Sequence, residues 1–359
     1  MADSVRAVVV TYNRKALLLE CLGGIAAQTH PVDGVLVVDN ASTDGTRAAL
    51  EASGLAGRLR IDYLRLRRNG GGAEGFHYGV REALRPPAPG GSPAPDWLWL
   101  MDDDCEPGPD TLAALIAAPR ASDPETALVA PLVTAPDGGV LPLNRGWTRA
   151  SWFRAPLAGL SPEHARLPEV EVEHVSLVGP LVRTAVAARE DPPRRDFFIW
   201  YDDLEWVSRL RRHGRLWLVP GARIVHKDPR PLTSVGLRAR WRDFRRGHRF
   251  EDSWKRSYGL RNMVWCGRRD GYVTRLRAAS YVLVAAVRTL LFERRRLLSL
   301  RLTARYARDG WRGRFVNVTP AGWAELPRAA HPLRALEAQA LGYEGDVDEP
   351  VQTLSTVHP

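Results

Sequence analysis

Four apolar runs near the start of the chain each stop at a polar cluster, and segments of helical pattern separate them. Val5–Val10 ends in Thr11-Tyr12-Asn13-Arg14, after which Ala16–Ala27 reads as an amphipathic helix. Val35–Val38 ends at Asp39-Asn40, with Ser42 or Thr43 placed to cap a short helix through Glu51. Ile61–Leu66 is followed by Asn69-Gly70-Gly71-Gly72 and a helix from Ala73 to Leu84. The Pro86–Pro95 stretch reads as a surface loop, and Trp97–Met101 runs straight into Asp102-Asp103-Asp104. Strands separated by helices imply βαβ units and a parallel sheet. In such sheets ligands bind beyond the carboxyl ends of the strands. Thr11–Arg14, Asp39–Thr43 and Asp102–Asp104 fall at those ends.

Beyond Leu128–Val133 the alternation loosens, with a turn at Pro136–Gly139 and aromatic segments around Trp147 and Trp152. Val175–Val182 is apolar again. Phe197–Trp200 leads into Tyr201-Asp202-Asp203-Leu204-Glu205-Trp206 and a helix to Arg212, closed by Gly214. Leu216–Val219 and Ile224-Val225 read as late strands ending at His226. Charge then shifts. Between Pro231 and Phe315 the chain carries 22 Lys+Arg against six acids, a balance of +16, so a net charge of +10 leaves about −6 elsewhere. That cationic, mostly helical segment suits phosphates, of a membrane surface or of nucleic acid. Val316–Pro359, with an acidic patch at Glu344–Glu349, reads as a loosely packed tail. Cys21, Cys105 and Cys266 are too few and too scattered for a disulfide scaffold, which fits a reducing cytosol. The opening residues show no secretory leader, and the longest apolar stretch, Ala278–Phe292, is broken by Arg288. A soluble or peripheral protein is expected.

The polar clusters suggest chemistry, each with a plainer alternative. Three adjacent carboxylates at a strand end repel unless a cation is shared. In extended geometry Asp102 and Asp104 point to one side and suit a hard divalent ion; a surface turn or helix cap is the alternative. Asp39 can accept from the imide N–H of a uracil-like base, with Thr11 beside it, or it can make an Asx turn. The glycine loop, with Gly71 at its centre, can offer backbone N–H groups to an anion at a helix start, or be a structural turn. Asp202, Asp203 and Glu205 open a helix, where acids favour the dipole. One of them can instead be a general base, with Trp200, Tyr201 and Trp206 lining a sugar site. His226 is a structural histidine or a third ligand for the same ion.

VVVTYNR, VVDNASTDGT, LRRNGGGAEGF, WLWLMDDD and FFIWYDDLEWVSRLRRHG, in this order across residues 5–228, resemble family 2 glycosyltransferases of the GT-A fold. The RRN-GGxxGF loop, the aspartate triplet, Pro142–Arg149 and Tyr258-Gly259-Leu260-Arg261-Asn262 look like bacterial cell-wall galactofuranosyltransferases, especially the galactan-initiating type. Rhamnosyltransferases share much of this pattern. The resemblance implies an α/β, Rossmann-like mixed or parallel sheet flanked by helices over residues 1–230. A basic helical region at 231–315, facing acceptor or membrane, and a tail at 316–359 complete the expected layout. It also implies an inverting, metal-dependent transfer of a sugar, galactofuranose from UDP-galactofuranose or rhamnose from dTDP-rhamnose, to a polyprenyl-diphosphate-linked glycan.

Under this resemblance Thr11, Tyr12, Arg14 and Asp39 hold the nucleotide, with Asp103 on the nucleotide side. Arg68, Asn69 and Gly71 lie near the diphosphate or donor sugar. Asp102, Asp104 and His226 bind Mn²⁺ or Mg²⁺. Asp203 is the base, Asp202 its rival, and Glu205 orients an acceptor that also meets Trp200, Trp206, Arg261 and Asn262. Glu74 departs from the small residues expected in the loop. The implied location is cytoplasmic, on the inner face of the cell membrane. A nucleic-acid-binding protein is the alternative from another class. The basic segment lacks a zinc-finger, helix-turn-helix or RNP pattern, so no nucleic-acid partner is expected.

Overall fold

The computed structural model describes residues 3–86, 94–141, 164–227, 250, 253–269, 275–293, 295–341 and 351–354. Pro142–Arg149, Trp147, Trp152, most of the Pro86–Pro95 loop, residues 228–249 of the basic segment and the Glu344–Glu349 patch lie outside them. The chain divides into two units. One comprises Met1–Pro193, Trp206–Thr233 and Asp346–Pro359; the other comprises Arg194–Glu205 and Ser234–Gly345.

The first unit is built on a sheet. Its elements run β1 (Val5–Thr11), α1 (Lys15–Ala26), β2 (Gly34–Asp39), α2 (Thr46–Ala52), β3 (Ile61–Arg65), α3 (Gly71–Ala83) and β4 (Trp97–Asp102). They continue with β5 (Cys105–Pro107), α4 (Thr111–Ile116), β6 (Thr126–Thr134), β7 (Val170–Val172), β8 (Leu181–Arg183) and α5 (Thr184–Ala187). Helix α6 (Asp202–Leu210) crosses the division between units, and β9 (Arg215–His226) and β10 (Gln352–Leu354) complete the sheet. The strand order is β10-β3-β2-β1-β4-β8-β6-β9-β5, with β7 on β9. β3, β2, β1 and β4 are parallel, as are β6 and β9; the remaining pairs are antiparallel.

The central strands are apolar throughout because both faces are covered, as parallel sheets require. Val5, Ala7 and Val9 of β1 pack in one core with Leu18, Cys21, Leu22 and Ile25 of α1. Val8 and Val10 face the opposite core, with Phe76, Val80 and Ala83 of α3. Helix α3 lies close on β1: a Cβ at Gly75 or Gly79 would come within 2.4 Å of Val10 Cγ1 or 2.6 Å of Val8 Cγ1.

Several expected elements differ in detail. α3 starts at Gly71, before the expected Ala73, because Asn69 Oδ1 accepts from the Gly71 N–H and lets the first turn form on the glycines. The two late strands are one, β9, which a register shift opposite Pro131/Leu132 bends without breaking. Of the expected loose tail, the described residues 316–341 and 351–354 are folded. Gln352–Leu354 adds an antiparallel edge to β3, where Arg47 and Asp62 bond Gln352 and Thr353.

The second unit holds α7 (Trp254–Arg269), α8 (Arg275–Phe292), α9 (Arg296–Arg312), α10 (Pro320–Glu325) and α11 (Pro332–Ala338). Its core is aromatic, with Tyr258, Tyr306 and Trp323 among Leu260, Leu302, Leu326 and Leu336. Polar tips of the rings are answered: Tyr258 Oη donates to the Val318 carbonyl at 2.9 Å, and Trp323 Nε1 donates to that of Phe250 at 2.9 Å.

Candidate active site

Register places the polar clusters of the sheet unit side by side. Thr11 pairs with Asp39 across β1 and β2, Val10 pairs with Asp102 across β1 and β4, and Asp39 pairs with Arg65 on β3. β4 stops at Asp102, Asp103 and Asp104 form a turn, and β5 starts at Cys105 opposite His226 of β9. That turn corrects the extended geometry expected of the triplet, in which Asp102 and Asp104 shared one side. Asp102 ends a strand and is half-buried, whereas Asp103 and Asp104 are buried.

Thr11 Oγ1 donates to Asp103 Oδ2 at 2.7 Å, and the Tyr12 N–H reaches the same oxygen at 3.4 Å. Arg14, itself exposed, bridges the two acids, its Nη1 lying 3.3 Å from Asp103 Oδ1 and 2.8 Å from Asp104 Oδ2. His226 Nε2 lies 3.1 Å from Asp104 Oδ1. Burial pushes the Asp103 carboxyl up to about 6, despite the Thr11 hydroxyl and the Arg14 charge. Burial acts on Asp104 too, but the His226 and Arg14 partners outweigh it and hold that carboxyl below its ordinary range.

These residues fit a divalent cation. A separation of about 3 Å between a carboxylate oxygen and an imidazole nitrogen is that of two ligands at right angles around an ion with bonds of about 2.1 Å. His226 Nδ1 is buried with no hydrogen-bond partner. Among the described residues, the side chains whose ligand atoms gather within 4.8 Å are Asp104, Cys105 and His226. Burial and the neighbouring carboxylates push the Cys105 thiol well up, which leaves it protonated and a poor ligand. Asp102, expected as a ligand, stands outside that trio.

Asp39 is differently placed from the expected base contact. It is 0% exposed. Its Oδ1 accepts from the Ser42 N–H at 2.8 Å, and its Oδ2 accepts from Tyr63 Oη at 2.7 Å and Arg65 Nη1 at 2.8 Å. Three of about four acceptor positions are thus filled from within the chain. Burial and Asp39 together push the Tyr63 hydroxyl up, so it stays a donor. Neither Tyr63 nor Arg65 was singled out from sequence.

The glycine loop also answers itself. The Gly71 N–H expected to face an anion donates to Asn69 Oδ1 at 2.8 Å, and Arg68 donates to Glu74 at 3.0 Å. Glu74 is buried in the first turn of α3, where an acid offsets the helix dipole.

The second unit holds the other acids. Asp202, Asp203 and Glu205 open α6; Asp202 and Glu205 are buried and Asp203 is half-buried. Burial, then the charge of Asp203, pushes the Asp202 carboxyl up to about 7. The preceding turn is strained, with Phe198, Trp200 and Tyr201 at φ of +66°, +64° and +69°. Such backbone persists where surroundings over-determine it, and Asn262 does so. Its Nδ2 donates to the carbonyls of Phe197, Ile199 and Trp200 at 3.0, 3.1 and 2.9 Å. Arg261 donates to the carbonyls of Asp196, Phe197 and Val316 and to Asn317 Oδ1. A Cβ at Gly259 would lie 2.7 Å from Trp200 Cε3, so glycine there seats the ring.

This geometry corrects three expected acceptor contacts. Arg261 and Asn262 are 0% exposed, and their donors go mainly to backbone carbonyls; they position the turn. Trp206 is equally buried, in the sheet core with Val207 and Leu210, because it sits on the apolar face of α6. Trp200 is 38% exposed.

The family model described as glycosyl transferase family 2 matches residues 7–168. Galactofuranosyltransferase GlfT1 of Mycobacterium tuberculosis is 36% identical over 222 residues, 60% of this chain and 66% of that protein. Its counterpart from Mycolicibacterium smegmatis is 32% identical over 219 residues, 59% of this chain and 67% of that one. The match thus spans just under two thirds of the Mycobacterium tuberculosis protein's length. N-acetylglucosaminyl-diphospho-decaprenol L-rhamnosyltransferase of Mycobacterium tuberculosis is 28% identical over 251 residues, 63% of this chain and 76% of that protein. Among solved structures, GalNAc-T7 with UDP, GalNAc and Mn²⁺ aligns with a TM-score of 0.51 at 16% identity, over 78% of this chain and 54% of that one. This last likeness is one of fold, and it bears out the mixed, helix-flanked GT-A sheet expected from sequence.

Proposed function

The chain belongs to glycosyl transferase family 2, and on that premise we propose that it is an inverting glycosyltransferase. It takes a sugar from a nucleoside diphosphate and places it on a hydroxyl of an acceptor glycan. One observation carries the reading: the turn that follows the aligned strand ends brings Asp104 within 3.1 Å of His226. The identity to galactofuranosyltransferases supports UDP-galactofuranose as donor. The rhamnosyltransferase relative favours dTDP-rhamnose as a second reading, and its name supports a polyprenyl-diphosphate-linked acceptor, met at the inner face of the cell membrane. Among the described residues no helix is long and apolar enough to cross a membrane.

Asp104 and His226 would hold Mn²⁺ or Mg²⁺, with Asp102 at the end of β4 as a further ligand, and the ion would supply positive charge against the leaving diphosphate. Thr11 and Arg14 fix Asp103 and Asp104 beforehand, so the carboxylates need little reorganisation when donor arrives. Asp203, the more accessible of the acids opening α6, removes the acceptor proton. The acceptor oxygen bonds to the anomeric carbon as the bond to the diphosphate breaks, and its electron pair leaves with the diphosphate. Trp200 offers an aromatic face to a sugar ring.

A thermal-shift panel of UDP, dTDP and GDP sugars, with and without Mn²⁺, tests the reading. The expected result is Mn²⁺-dependent stabilisation, larger for UDP-galactofuranose than for dTDP-rhamnose; no shift with any sugar nucleotide overturns it. Asp203→Asn is expected to lower transfer about 10²–10⁴-fold with donor stabilisation intact. Lost donor binding without a defect in turnover would remove Asp203 from the role of base.

A further inference from the structure

We propose that the helical unit carries a seat for the phosphate of a membrane lipid, at the foot of an exposed apolar face of α8. The proposal rests on the reading above, in which the acceptor is lipid-linked, and deepens it by placing the lipid's anionic end.

Helix α8 exposes Leu276, Leu283, Val284, Val287, Leu290 and Leu291, with Leu276 and Leu283 66% and 64% open. Their spacing follows helical periodicity, so they form a stripe along the helix. Exposed apolar residues are ordinary singly; six on one helix, four leucines and two valines, mark a surface that meets something apolar. The charge is equally one-sided. α8 and α9 together hold eight arginines and one acid, Asp309, which is buried. Arg275, Arg296 and Arg301 are exposed. Apolar and cationic surface on the same helices matches the interface of an anionic bilayer, and nucleic acid has no use for the leucines.

Beside the stripe lies a cavity of about 170 Å³ lined by Arg256, Arg288, Ser299, Thr303, Val284 and Leu302. Val284 belongs to both, so the stripe runs to the cavity wall. The Ser299 hydroxyl is buried there without a hydrogen-bond partner. Among the described residues, Glu293 also lines the cavity beside Arg256 and Arg288. Arginines and hydroxyls are phosphate-binding chemistry. The volume falls below the roughly 300–1,000 Å³ of whole-ligand sites, so it suits one head group whose chain lies outside along the leucines.

The test uses the full chain and neutral phosphatidylcholine nanodiscs doped with a polyprenyl phosphate or with the matching polyprenol. Wild type is expected to bind the phosphate discs at least tenfold more tightly. The pair Arg256→Gln and Arg288→Gln should erase that preference, and Leu283→Gln with Leu290→Gln should weaken binding to both discs. Equal binding of polyprenol and polyprenyl phosphate overturns the proposal, as does a preference that survives loss of both arginines. Displacement by millimolar inorganic phosphate alone, with no contribution from the leucines, assigns the cavity to a soluble anion and overturns it too. So does binding to phosphatidylglycerol vesicles that matches the polyprenyl phosphate discs and ignores the arginines. Thermal shifts with UDP and Mn²⁺ run in parallel verify folding and separate the two readings: lipid binding as predicted without a nucleotide shift sinks the proposed activity and spares this site.

Discussion

The strand-end edge of the sheet unit and the Tyr258–Asn262 turn of α7 both resemble ligand-contacting motifs by residue type, yet their polar atoms are answered differently. At the strand ends, Asp103 and Asp104 are met by Thr11, Arg14 and His226, side chains with rotatable bonds. In α7, Arg261 and Asn262 are met mainly by carbonyls of residues 196–200 and 316, which cannot turn away without unfolding the segment. A ligand can replace side-chain partners, whereas it cannot replace a backbone that depends on the donor. Exchangeable partners mark a site; immovable ones mark its support.

The contrast breaks if activity and stability respond alike in the two places. Asp104→Asn is expected to lower transfer by at least about 10²-fold and abolish the Mn²⁺-dependent shift. Its melting temperature should fall only slightly, since the amide gives up the Arg14 and His226 partners that hold the Asp104 carboxyl ionised while relieving its repulsion with Asp103. A collapse in melting temperature would make the acid cluster structural after all. Asn262→Ala should do the reverse. Up to three buried carbonyls lose their donor, which costs about 2–4 kcal/mol in urea unfolding, while whatever protein stays folded still binds UDP with Mn²⁺. Unchanged stability with a raised acceptor KM would return Asn262 to the acceptor site.

The smallest effect sharpens the contrast through pH. Asp202 has a folded pKa of about 7, above its ordinary 3.8. The folded state therefore holds the proton more tightly, and the stability linked to it is full below about pH 4 and lost as pH rises through 7. Relative to Asp202→Asn, wild type should lose stability over that window with a slope of at most about 1.4 kcal/mol per pH unit. Parallel curves for the two proteins would show that Asp202 is not held protonated.

The sheet was legible because burial on both faces leaves unbroken apolar runs, and the strand ends because polarity returns abruptly there. Trp206 was legible too: with Val207 and Leu210 it follows helical spacing, but its aromatic neighbours drew the reading toward sugar binding. Arg65 was visible as the last residue of β3 and the register partner of Asp39, once strand ends are compared in pairs. The burial of Arg261 was not visible, since a charged residue enters a core only when a distant segment brings acceptors, here across 55 residues to Val316. Asp104 and His226, 122 residues apart, met because β5 pairs with the end of β9; residue type suggested the partnership, and strand pairing delivers it.

Residues Arg194–Glu205 interrupt the sheet unit in sequence yet belong with the C-terminal helices. In heredity and in engineering, that makes two separated stretches of the gene a single cassette. A chimera that swaps everything after Thr233 for a relative's counterpart parts Asn262 from the carbonyls it clamps. One that carries 194–205 along keeps the acid-bearing turn and its clamp together, so acceptor preference should diverge between relatives by matched changes in both stretches.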